Sequence, residues 1–289
     1  MSPVWNKSTA PIGVFDSGYG GLTILEGLLD VMPEYDYLYL GDNARSPYGQ
    51  HTFETIYRYT RQAVNYLFAQ GCPLVLLACN TASARALRTI QQRDLPVSED
   101  PTKRVLGIIR PTVEMLGSAT RNKHVGLLAT GATVESDTYG IEVSEYYPDI
   151  KLSQHPAPMW VPLVEQGEYH GNPGVDYFVE REIRRLLRMD PEMDTIQLAC
   201  THYPLLMPVI RKFVPKHIRV LGQSGIMNDA TQDYLRRHPE MDQRLSRGGQ
   251  CRLLTTESDA KFGEMVAQFA HSDRLRKAPV GHIILETNL

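Results

Sequence analysis

Residues 197–206 read QLACTHYPLL, an apolar run that stops at a thiol, a hydroxyl and an imidazole. Nearly the same sequence occurs earlier, where residues 74–83 read LVLLACNTAS. The shared tripeptide Leu-Ala-Cys ends at Cys79 in one stretch and at Cys200 in the other, and two hydrogen-bonding residues follow each cysteine. Short apolar runs bounded in this way are typical of buried strands in a parallel sheet. The matched strand ends indicate an α/β fold with internal two-fold similarity.

Short apolar runs alternate with amphipathic stretches along the chain, which predicts parallel sheets covered by helices on both faces. The predicted strands are Ile12–Phe15, Tyr35–Leu40, Leu74–Ala78, Val105–Ile109, Val125–Ala129, Thr195–Ala199 and Ile218–Leu221. The predicted helices are Leu22–Met32, Phe53–Ala69, Ala82–Gln91, Val134–Tyr146, Asp176–Arg188, Gly225–Arg236 and Asp259–Phe269.

Two domains are predicted, with the site in the cleft between them. The polar, proline-bearing segment Arg93–Lys103 is typical of a linker, so the second half is expected to begin at Val105. The segments after Pro208 are too few for a third domain and are expected to complete the first. The predicted division is a discontinuous first domain of residues 1–98 and 209–289, and a second domain of residues 99–208.

Composition limits the classes of function. A net charge of −3 and a pI near 6.3, without a dominant basic stretch, argue against a nucleic-acid binder. No apolar run approaches the roughly 20 residues that a membrane helix needs. The N-terminal stretch MSPVWNKSTAPIG lacks the apolar core of a signal peptide. Four cysteines are too few for a disulfide scaffold in a chain of 289 residues, so free thiols in the cytoplasm are expected.

In open α/β sheets, ligands bind beyond the carboxyl ends of the strands, and this chain concentrates polar residues there. They are Asp16-Ser17, Asp42 with Tyr48-Gly49 in the loop beyond it, Cys79-Asn80-Thr81, Thr130 with Thr133, and Cys200-Thr201-His202. Taken singly, each hydroxyl could simply cap the helix that follows. The glycines Gly18, Gly20 and Gly21 match neither the dinucleotide fingerprint nor a P-loop. The coincidence at five strand ends is the feature that indicates a ligand site.

The two cysteines point to proton transfer. Between a strand and a helix, backbone N–H groups and the positive end of the helix dipole favour a thiolate. The same amides could hold a carboxylate, which predicts a small anionic ligand with a thiol on each side of it. Opposed thiols suit a racemase, which takes a proton from one face of a stereocentre and returns one to the other. Asp16 and His202 would then assist the neighbouring thiols.

Other chemistries fit the pattern less well. A cysteine hydrolase built on Cys200 and His202 leaves Cys79 without a role. A zinc site from the same three residues lacks a tightly spaced ligand pair, and an oxidised cysteine pair lacks the C-x-x-C motif. Pyridoxal phosphate chemistry needs a lysine, and the strand-end motifs contain none. Neither a metal nor a cofactor is therefore expected.

Longer phrases carry a family resemblance nearly end to end. They are IGVFDSGYGGL at 12–22, GDNARSPYG at 41–49, LLACNTASA at 76–84, ATGATVESDTY at 129–139, VPLVEQG at 161–167 and LACTHYPLL at 198–206, with CRLLTTESDAKF at 251–262 a looser match. On these motifs the chain resembles the glutamate racemases, within the cofactor-independent aspartate/glutamate racemase superfamily. The resemblance implies two flavodoxin-like domains related by pseudo-two-fold symmetry, a homodimer, and glutamate as the small-molecule partner. It also implies interconversion of L- and D-glutamate, which supplies bacterial peptidoglycan and so cell wall and cell shape.

The resemblance also implies residue roles. Cys79 would deprotonate D-glutamate with help from Asp16, and Cys200 would deprotonate L-glutamate with help from His202. Two further family carboxylates near the site match Asp42 and Glu165. The positions that match substrate-binding residues are Asp16, Ser17, Tyr48, Gly49, Asn80, Thr81, Thr130, Thr133, Thr201 and His202.

One departure from the family pattern is visible, and two alternative functions stay open. The family often has an Asp-Ser pair after a late strand of the first domain, where this chain has Gln223-Ser224. The alternatives are another racemase of the superfamily, of aspartate or hydantoin type, and a non-catalytic glutamate-binding regulator.

Overall fold

A computed structural model describes residues 10–169 and 172–285 of the chain. The N-terminal residues 1–9, which bear on the signal-peptide argument, lie outside the described residues. In the described part, the strands form one six-stranded and one four-stranded sheet. Within these residues, none of the α-helices combines the length and the hydrophobicity that a membrane-spanning helix requires.

The strands are β1 (Ile12–Asp16), β2 (Tyr37–Gly41), β3 (Leu74–Leu77), β4 (Arg104–Gly107), β5 (His124–Ala129), β6 (Lys151–Pro156), β7 (Thr195–Ala199), β8 (Arg219–Leu221), β9 (Cys251–Thr255) and β10 (Val280–His282). The α-helices are α1 (Leu22–Val31), α2 (Phe53–Ala69), α3 (Asn80–Thr89), α4 (Ile109–Ala119), α5 (Gly131–Ser136), α6 (Thr138–Tyr146), α7 (Trp160–Glu165), α8 (Pro173–Met189), α9 (Met207–Phe213), α10 (Ser224–Arg237), α11 (Pro239–Asp242), α12 (Asp259–Phe269) and α13 (Asp273–Arg276). Short 3₁₀ helices cover Asn43–Arg45, Tyr48–Gln50, Leu95–Val97 and Tyr203–Leu206, and a π-helix covers Ile90–Asp94.

The two sheets repeat one strand order. The six-stranded sheet runs β10-β9-β2-β1-β3-β4 and the four-stranded sheet runs β6-β5-β7-β8, with parallel pairing throughout. The order β2-β1-β3-β4 in the first matches β6-β5-β7-β8 in the second, so β3 and β7 occupy equivalent places. Cys79 follows β3 and Cys200 follows β7. The predicted α/β fold with internal similarity is confirmed.

Strand pairing contradicts the expected exchange points between the two halves. β4 pairs with β3, with Val105 opposite Val75, so the second half does not begin at Val105. β8 pairs with β7, with Val220 opposite Ile196, so the chain is still in the second sheet well beyond Pro208. Both are edge strands. Which sheet an edge strand joins depends on tertiary pairing, which cannot be predicted from the composition of a linker. The chain passes to the second sheet after β4 and returns to the first sheet after β8. The domain boundaries at 98/99 and 208/209 remain predictions.

The sequence pattern missed several elements and joined two others. β6 is an edge strand of mostly polar residues and β10 has three residues, so neither shows an apolar run. β9, α4 and α7 were also not predicted. The single helix expected over Val134–Tyr146 is divided into α5 and α6, because Asp137 between them has φ 51°. A left-handed residue interrupts the helical hydrogen-bond pattern.

Burial follows the two-residue period of the strands. In β3, Leu74 and Leu76 pack into one apolar cluster, whereas Val75 and Leu77 pack into another on the opposite face. The larger cluster also contains Val125 of β5 and residues of β7, so it is shared by both sheets. The carboxyl ends of β1, β3, β5 and β7 come together above it.

Candidate active site

Both strand-end cysteines line one cavity of about 80 Å³. Its lining residues come from both sheets: Ser17, Ser46, Pro47, Tyr48, Gly49, Gln50, Cys79, Asn80, Thr81, Thr130, Gly131, Ala157, Pro158, Val161, Pro162, Cys200, Thr201, His202 and Tyr203. All four cysteines of the chain are free and buried.

Cys79 caps helix α3. Its sulfur accepts a hydrogen bond from the Ala82 backbone N–H at 3.4 Å and lies 3.2 Å from the Ser17 hydroxyl oxygen. Burial nevertheless raises the pKa of the Cys79 thiol to about 12, and the Asp16 carboxylate adds to the rise, while those two hydrogen bonds oppose it. The hydrogen bonds at the strand–helix junction favour a thiolate, as expected, but burial outweighs them at Cys79. At neutral pH it is a thiol.

Cys200 begins a chain of polar side chains. Its sulfur lies 3.8 Å from His202 Nδ1, and His202 Nε2 lies 3.1 Å from Glu165 Oε1. Burial disfavours a charge on His202, but hydrogen bonds to Cys200 and Glu165 outweigh it and raise the pKa of the imidazole well above its usual value. Glu165 is also buried, yet its hydrogen bond to His202 lowers the pKa of its carboxyl. The two groups form an ion pair behind Cys200.

Asp16 lies at the end of β1 and is fully buried. It accepts hydrogen bonds from the Gly18 backbone N–H at 2.8 Å and from the Thr201 hydroxyl at 3.2 Å. Burial raises the pKa of the carboxyl despite the opposing effect of His202. The sulfur of Cys79 has Ser17 as its side-chain hydrogen-bond partner, so Asp16 acts on that thiol as a nearby charge.

Three threonine hydroxyls meet where the two halves face each other. Thr81 Oγ1 lies 2.8 Å from Thr130 Oγ1 and 3.3 Å from Thr133 Oγ1. Thr130 caps α5 by accepting from the Thr133 backbone N–H, as capping predicts. Thr130 also lines the cavity, so capping and access to a ligand are compatible for this residue. Thr81 lines the cavity too, but it does not cap α3, whose N-cap is Cys79.

Gln223 occupies the position where the family often has an aspartate, and it is hydrogen-bonded to three side chains. Its Oε1 accepts from Asn80 Nδ2 at 2.7 Å, and its Nε2 donates to Thr112 Oγ1 at 2.8 Å and to Tyr139 OH at 3.0 Å. Tyr139 OH in turn donates to Asn80 Oδ1 at 2.7 Å. This buried neutral network fixes the Asn80 side chain at the cavity wall. The strand before Gln223 is β8, so this pair follows a strand of the second sheet and not of the first.

One group of three possible metal ligands forms among the described residues, away from the cavity. Ligand atoms of His124, Asp190 and Glu192 lie within 4.8 Å of one another, at the amino end of β5. His124 is already paired with both acids, and Lys151 lies 3.4 Å from Asp190. Cys79, Cys200 and His202 do not come together in such a group within residues 10–169 and 172–285, so the zinc alternative gains no support.

A family model described as Asp/Glu/Hydantoin racemase matches residues 23–223. The chain belongs to this racemase family. A glutamate racemase of Paracoccus denitrificans (strain Pd 1222) is 37% identical over 268 residues, which cover 89% of this chain and 96% of that protein. A glutamate racemase of Persephonella marina is 36% identical over 266 residues, covering 91% and 94%. The crystal structure of a glutamate racemase from Francisella tularensis subsp. tularensis SCHU S4 in complex with D-glutamate superposes with a TM-score of 0.82 at 27% identity, covering 97% of this chain and 100% of that one.

Asp42 of this racemase is buried and does not line the cavity. Arg45 Nε donates to both carboxylate oxygens, at 2.9 and 2.7 Å, and Thr256 donates to Oδ1 at 2.9 Å. The Tyr48 hydroxyl donates to Oδ2. Tyr48 and Gly49 line the cavity, and the hydrogen bond from Tyr48 ties Asp42 to their loop.

The glycine loop after β1 is a part of the site that sequence reasoning left without a role. A Cβ at Gly20 would clash with Thr201 Oγ1 and would lie 2.7 Å from His202 Nδ1. A Cβ at Gly18 would lie 2.7 Å from Glu165 Oε1. The glycines therefore let the loop of the first sheet approach Thr201, His202 and Glu165 of the second half. The sequence shows three glycines shortly after Asp16, but it does not show which residues they pack against.

Proposed function

We propose that this chain is a glutamate racemase in which one of the cysteines Cys79 and Cys200 removes the α-proton of glutamate and the other delivers a proton to the opposite face. The observation that carries the proposal is the placement of the two cysteines. They follow equivalent strands of two sheets with the same order, and both line a single cavity. The choice of glutamate is supported by relatives of that name at 36–37% identity over most of the chain.

In the L-to-D direction, Cys200 as thiolate takes the α-proton, and the Cys79 thiol gives its proton to the opposite face of the carbanion. Two sulfurs exchange charge, so the site ends with Cys79 as thiolate and Cys200 as thiol. The raised pKa of Cys79 suits its part, because it is protonated at neutral pH. The reverse direction begins from the exchanged state. Each sulfur must come within about 3–3.5 Å of the α-carbon.

The neighbours of each thiol support its part in the reaction. The positive charge on His202, held by Glu165, would face the sulfur of Cys200. On the other side, Ser17 and the Ala82 N–H would hold the Cys79 thiolate once the proton has left. Asp16, whose carboxyl pKa burial raises, would assist by exchanging a proton beside Cys79. We infer that Asp42 serves the Tyr48 loop and does not enter the proton transfer.

Hydroxyls, amides and a helix N-terminus would hold the substrate carboxylates. Thr81 and Thr130 line the cavity, as does Asn80 at the start of α3, where we infer that backbone N–H groups reach the substrate. We infer that Thr133 supports these hydroxyls, and that Asn80 and Thr201 contact the amino acid from opposite walls. The carbanion intermediate carries extra negative charge on the α-carboxylate, which these donors would stabilise.

We further propose a homodimer that acts in the cytoplasm and supplies D-glutamate for bacterial peptidoglycan, cell wall and cell shape. The resemblance to glutamate racemases supports this context, and the four free cysteines agree with a reducing compartment. Sedimentation equilibrium tests the assembly, since a dimer has twice the 32.6 kDa mass of one chain.

Racemisation in D₂O tests the activity. L-glutamate is incubated with the purified protein without added cofactor, and optical rotation and the α-proton NMR signal are followed together. We expect optical rotation to vanish while deuterium appears mainly in the D-product during early turnover. That pattern requires two bases on opposite faces, since a single base would return deuterium to both enantiomers.

Parallel assays with L-aspartate and with a hydantoin define the substrate. A rate on aspartate far above that on glutamate would move the chain to another branch of the family. Glutamate binding without any racemisation would favour the regulatory alternative.

A further inference from the structure

Glu165 accepts a hydrogen bond from a hydroxyl group in a loop of the first half. The Ser46 hydroxyl donates to Glu165 Oε1 at 3.0 Å. The same oxygen lies 3.1 Å from His202 Nε2. Ser46 lies in the loop after β2, whereas Glu165 ends α7, so this hydrogen bond crosses the cleft. Ser46 is half-buried and lines the cavity beside Tyr48.

We propose that Ser46 is a positioning residue for the Cys200 half of the reaction, because its hydroxyl fixes Glu165 Oε1 against His202 across the cleft. The inference rests on the proposed racemase function. It assigns Ser46 no contact with the reacting atoms. Its effect passes through Glu165 to His202, and from His202 Nδ1 to the sulfur of Cys200.

The geometry restricts how Glu165 can be held. Oε1 accepts two hydrogen bonds, from Ser46 and from His202, and a Cβ at Gly18 would come within 2.7 Å of it. Glu165 Oε1 thus has neighbours on three sides, and Ser46 is the neutral side-chain donor among them. Without the hydroxyl, one side of the carboxylate opens toward the cavity and its orientation depends on His202 alone.

The titratable groups around Glu165 set its pKa together with the Ser46 hydroxyl. The titratable groups that act on it or are acted on by it are Asp16, Tyr19, Tyr39, His202 and Lys261. Burial raises the pKa of Glu165, and the bonds from His202 and Ser46 together with the charge of Lys261 bring it below its usual value. Loss of the Ser46 bond removes one of the contributions that keep Glu165 ionised. The acid limb of turnover should then move to higher pH.

The directional test uses substrate deuterated at the α-carbon. Because L- and D-glutamate have equal free energies, a variant must lower kcat/KM equally in both directions, so rates alone cannot locate the defect. For Ser46→Ala we expect kcat/KM to fall roughly 10- to 150-fold, the cost of one hydrogen bond to a charged group. The isotope effect with L-[2-²H]glutamate should rise, because Cys200 breaks that bond, and the effect with D-[2-²H]glutamate should fall.

Three variants serve as controls. Ser46→Thr keeps the hydroxyl and should restore the wild-type isotope effects and pH profile. Ser17→Ala removes the hydroxyl beside Cys79 and should produce the mirror result, with the larger effect on D-[2-²H]glutamate. Ser144→Ala removes an exposed hydroxyl that bonds only to its own helix at Ile141 and should leave all parameters unchanged.

A measurement without turnover separates this inference from the proposed function. The δ-carboxyl ¹³C signal of Glu165, assigned by its loss in Glu165→Gln, is titrated in wild type and in Ser46→Ala. We expect the alanine variant to titrate at higher pH. An unchanged titration, or isotope effects that change alike for both enantiomers, overturns the positioning role while leaving the racemase intact. Failure of the wild-type protein to racemise glutamate instead removes the proposed function, and this inference falls with it.

Discussion

At the residue scale, the two cysteines differ in their surroundings. A helix N-terminus and two hydrogen bonds act on Cys79, yet burial prevails and raises the pKa of the thiol to about 12. Cys200 instead faces His202, which Glu165 holds in its charged form. The sequence motif located both thiols, but the sign of the effect on Cys79 depended on burial, which the motif does not contain.

Replacement of either active-site cysteine tests the two-base scheme. Cys79→Ala and Cys200→Ala should each lower racemisation by at least the roughly 10²–10⁴-fold that a positioned acid or base contributes. Cys200→Ala should still exchange the α-proton of D-glutamate with solvent, because Cys79 can remove it and return it on the same face. NMR of D-glutamate in D₂O measures this exchange. Turnover that survives intact in Cys79→Ala would falsify the scheme.

The matched controls are the two other buried cysteines. Cys72 packs beneath β1, where a Cβ at Gly13 would lie 3.3 Å from its sulfur, and Cys251 begins β9. Neither lines the cavity. Cys72→Ala and Cys251→Ala should lower thermal stability modestly and leave racemisation unchanged.

The Glu165–His202 pair should make stability depend on pH. The pKa of Glu165 is lowered by folding, so its contribution is present above its unfolded value of 4.5 and is lost as pH falls through the folded value. The pKa of His202 is raised, so its contribution is complete below its unfolded value of 6.5 and is lost as pH rises through the folded value. The loss of Tm in His202→Asn should therefore be largest between pH 4.5 and 6.5 and decrease above it.

Calorimetry of wild type and variant across that range measures the difference. His238→Asn is the control, because its partner Glu240 is exposed and surface pairs contribute little. A Tm difference that stays constant with pH, or grows above pH 6.5, would show that Glu165 and His202 are not both charged in the folded protein.

At the scale of elements, the site is built from the segments that begin where the central strands end. The ends of β1, β3, β5 and β7 deliver the aspartate, the two cysteines and the threonine hydroxyls to one place. These central strands were all predicted, since each is an apolar run buried on both faces. The edge strands β6 and β10 were not predicted. β6 consists mostly of polar residues, and β10 has only three residues, too few to show a period.

The glycine loop after β1 provides the test at this scale. Gly20→Ala places a Cβ 2.7 Å from the Thr201 carbonyl carbon, so backbone must move. We expect a loss of about 1–3 kcal/mol in the free energy of unfolding from overpacking. Racemisation should fall by roughly 10²-fold, since Thr201 and His202 are displaced from the reacting centre. Urea denaturation and steady-state kinetics measure the two effects.

Gly263→Ala is the matched control within helix α12. No atom lies within 4 Å of the added Cβ, so only the backbone entropy changes. Stability should rise by roughly 0.5–1 kcal/mol, with racemisation unchanged. If Gly20→Ala behaved like Gly263→Ala, close approach of the loop to Thr201 would not be required.

At the scale of the whole molecule, the two sheets share one apolar cluster. It contains Ile12 and Leu76 from the first sheet together with Val125 and Ile196 from the second. Cross-cleft hydrogen bonds add to it, including Arg85 Nε to the Ala132 carbonyl at 2.8 Å. Since neither sheet can lose its partner without exposing this cluster, we expect one cooperative unfolding transition.

Two probes that report different parts test the cooperativity. Fluorescence of Trp160, which is buried in the second half, is followed in a Trp5→Phe background, alongside far-UV circular dichroism for the whole chain. The two curves should coincide in urea. A Trp160 transition at a lower urea concentration than the circular dichroism transition would mean that the second half unfolds alone.

Sequence patterns were enough to predict the fold class, the central strands and the polar residues at their ends. They could do so because apolar periodicity and strand-terminal polar residues are local properties of the chain. Tertiary structure alone decided that β4 stays in the first sheet and β8 in the second, that Gly20 packs on Thr201, and that Gln223 fixes Asn80. It also decided that burial holds Cys79 as a thiol, because desolvation and pairing depend on residues far apart in sequence.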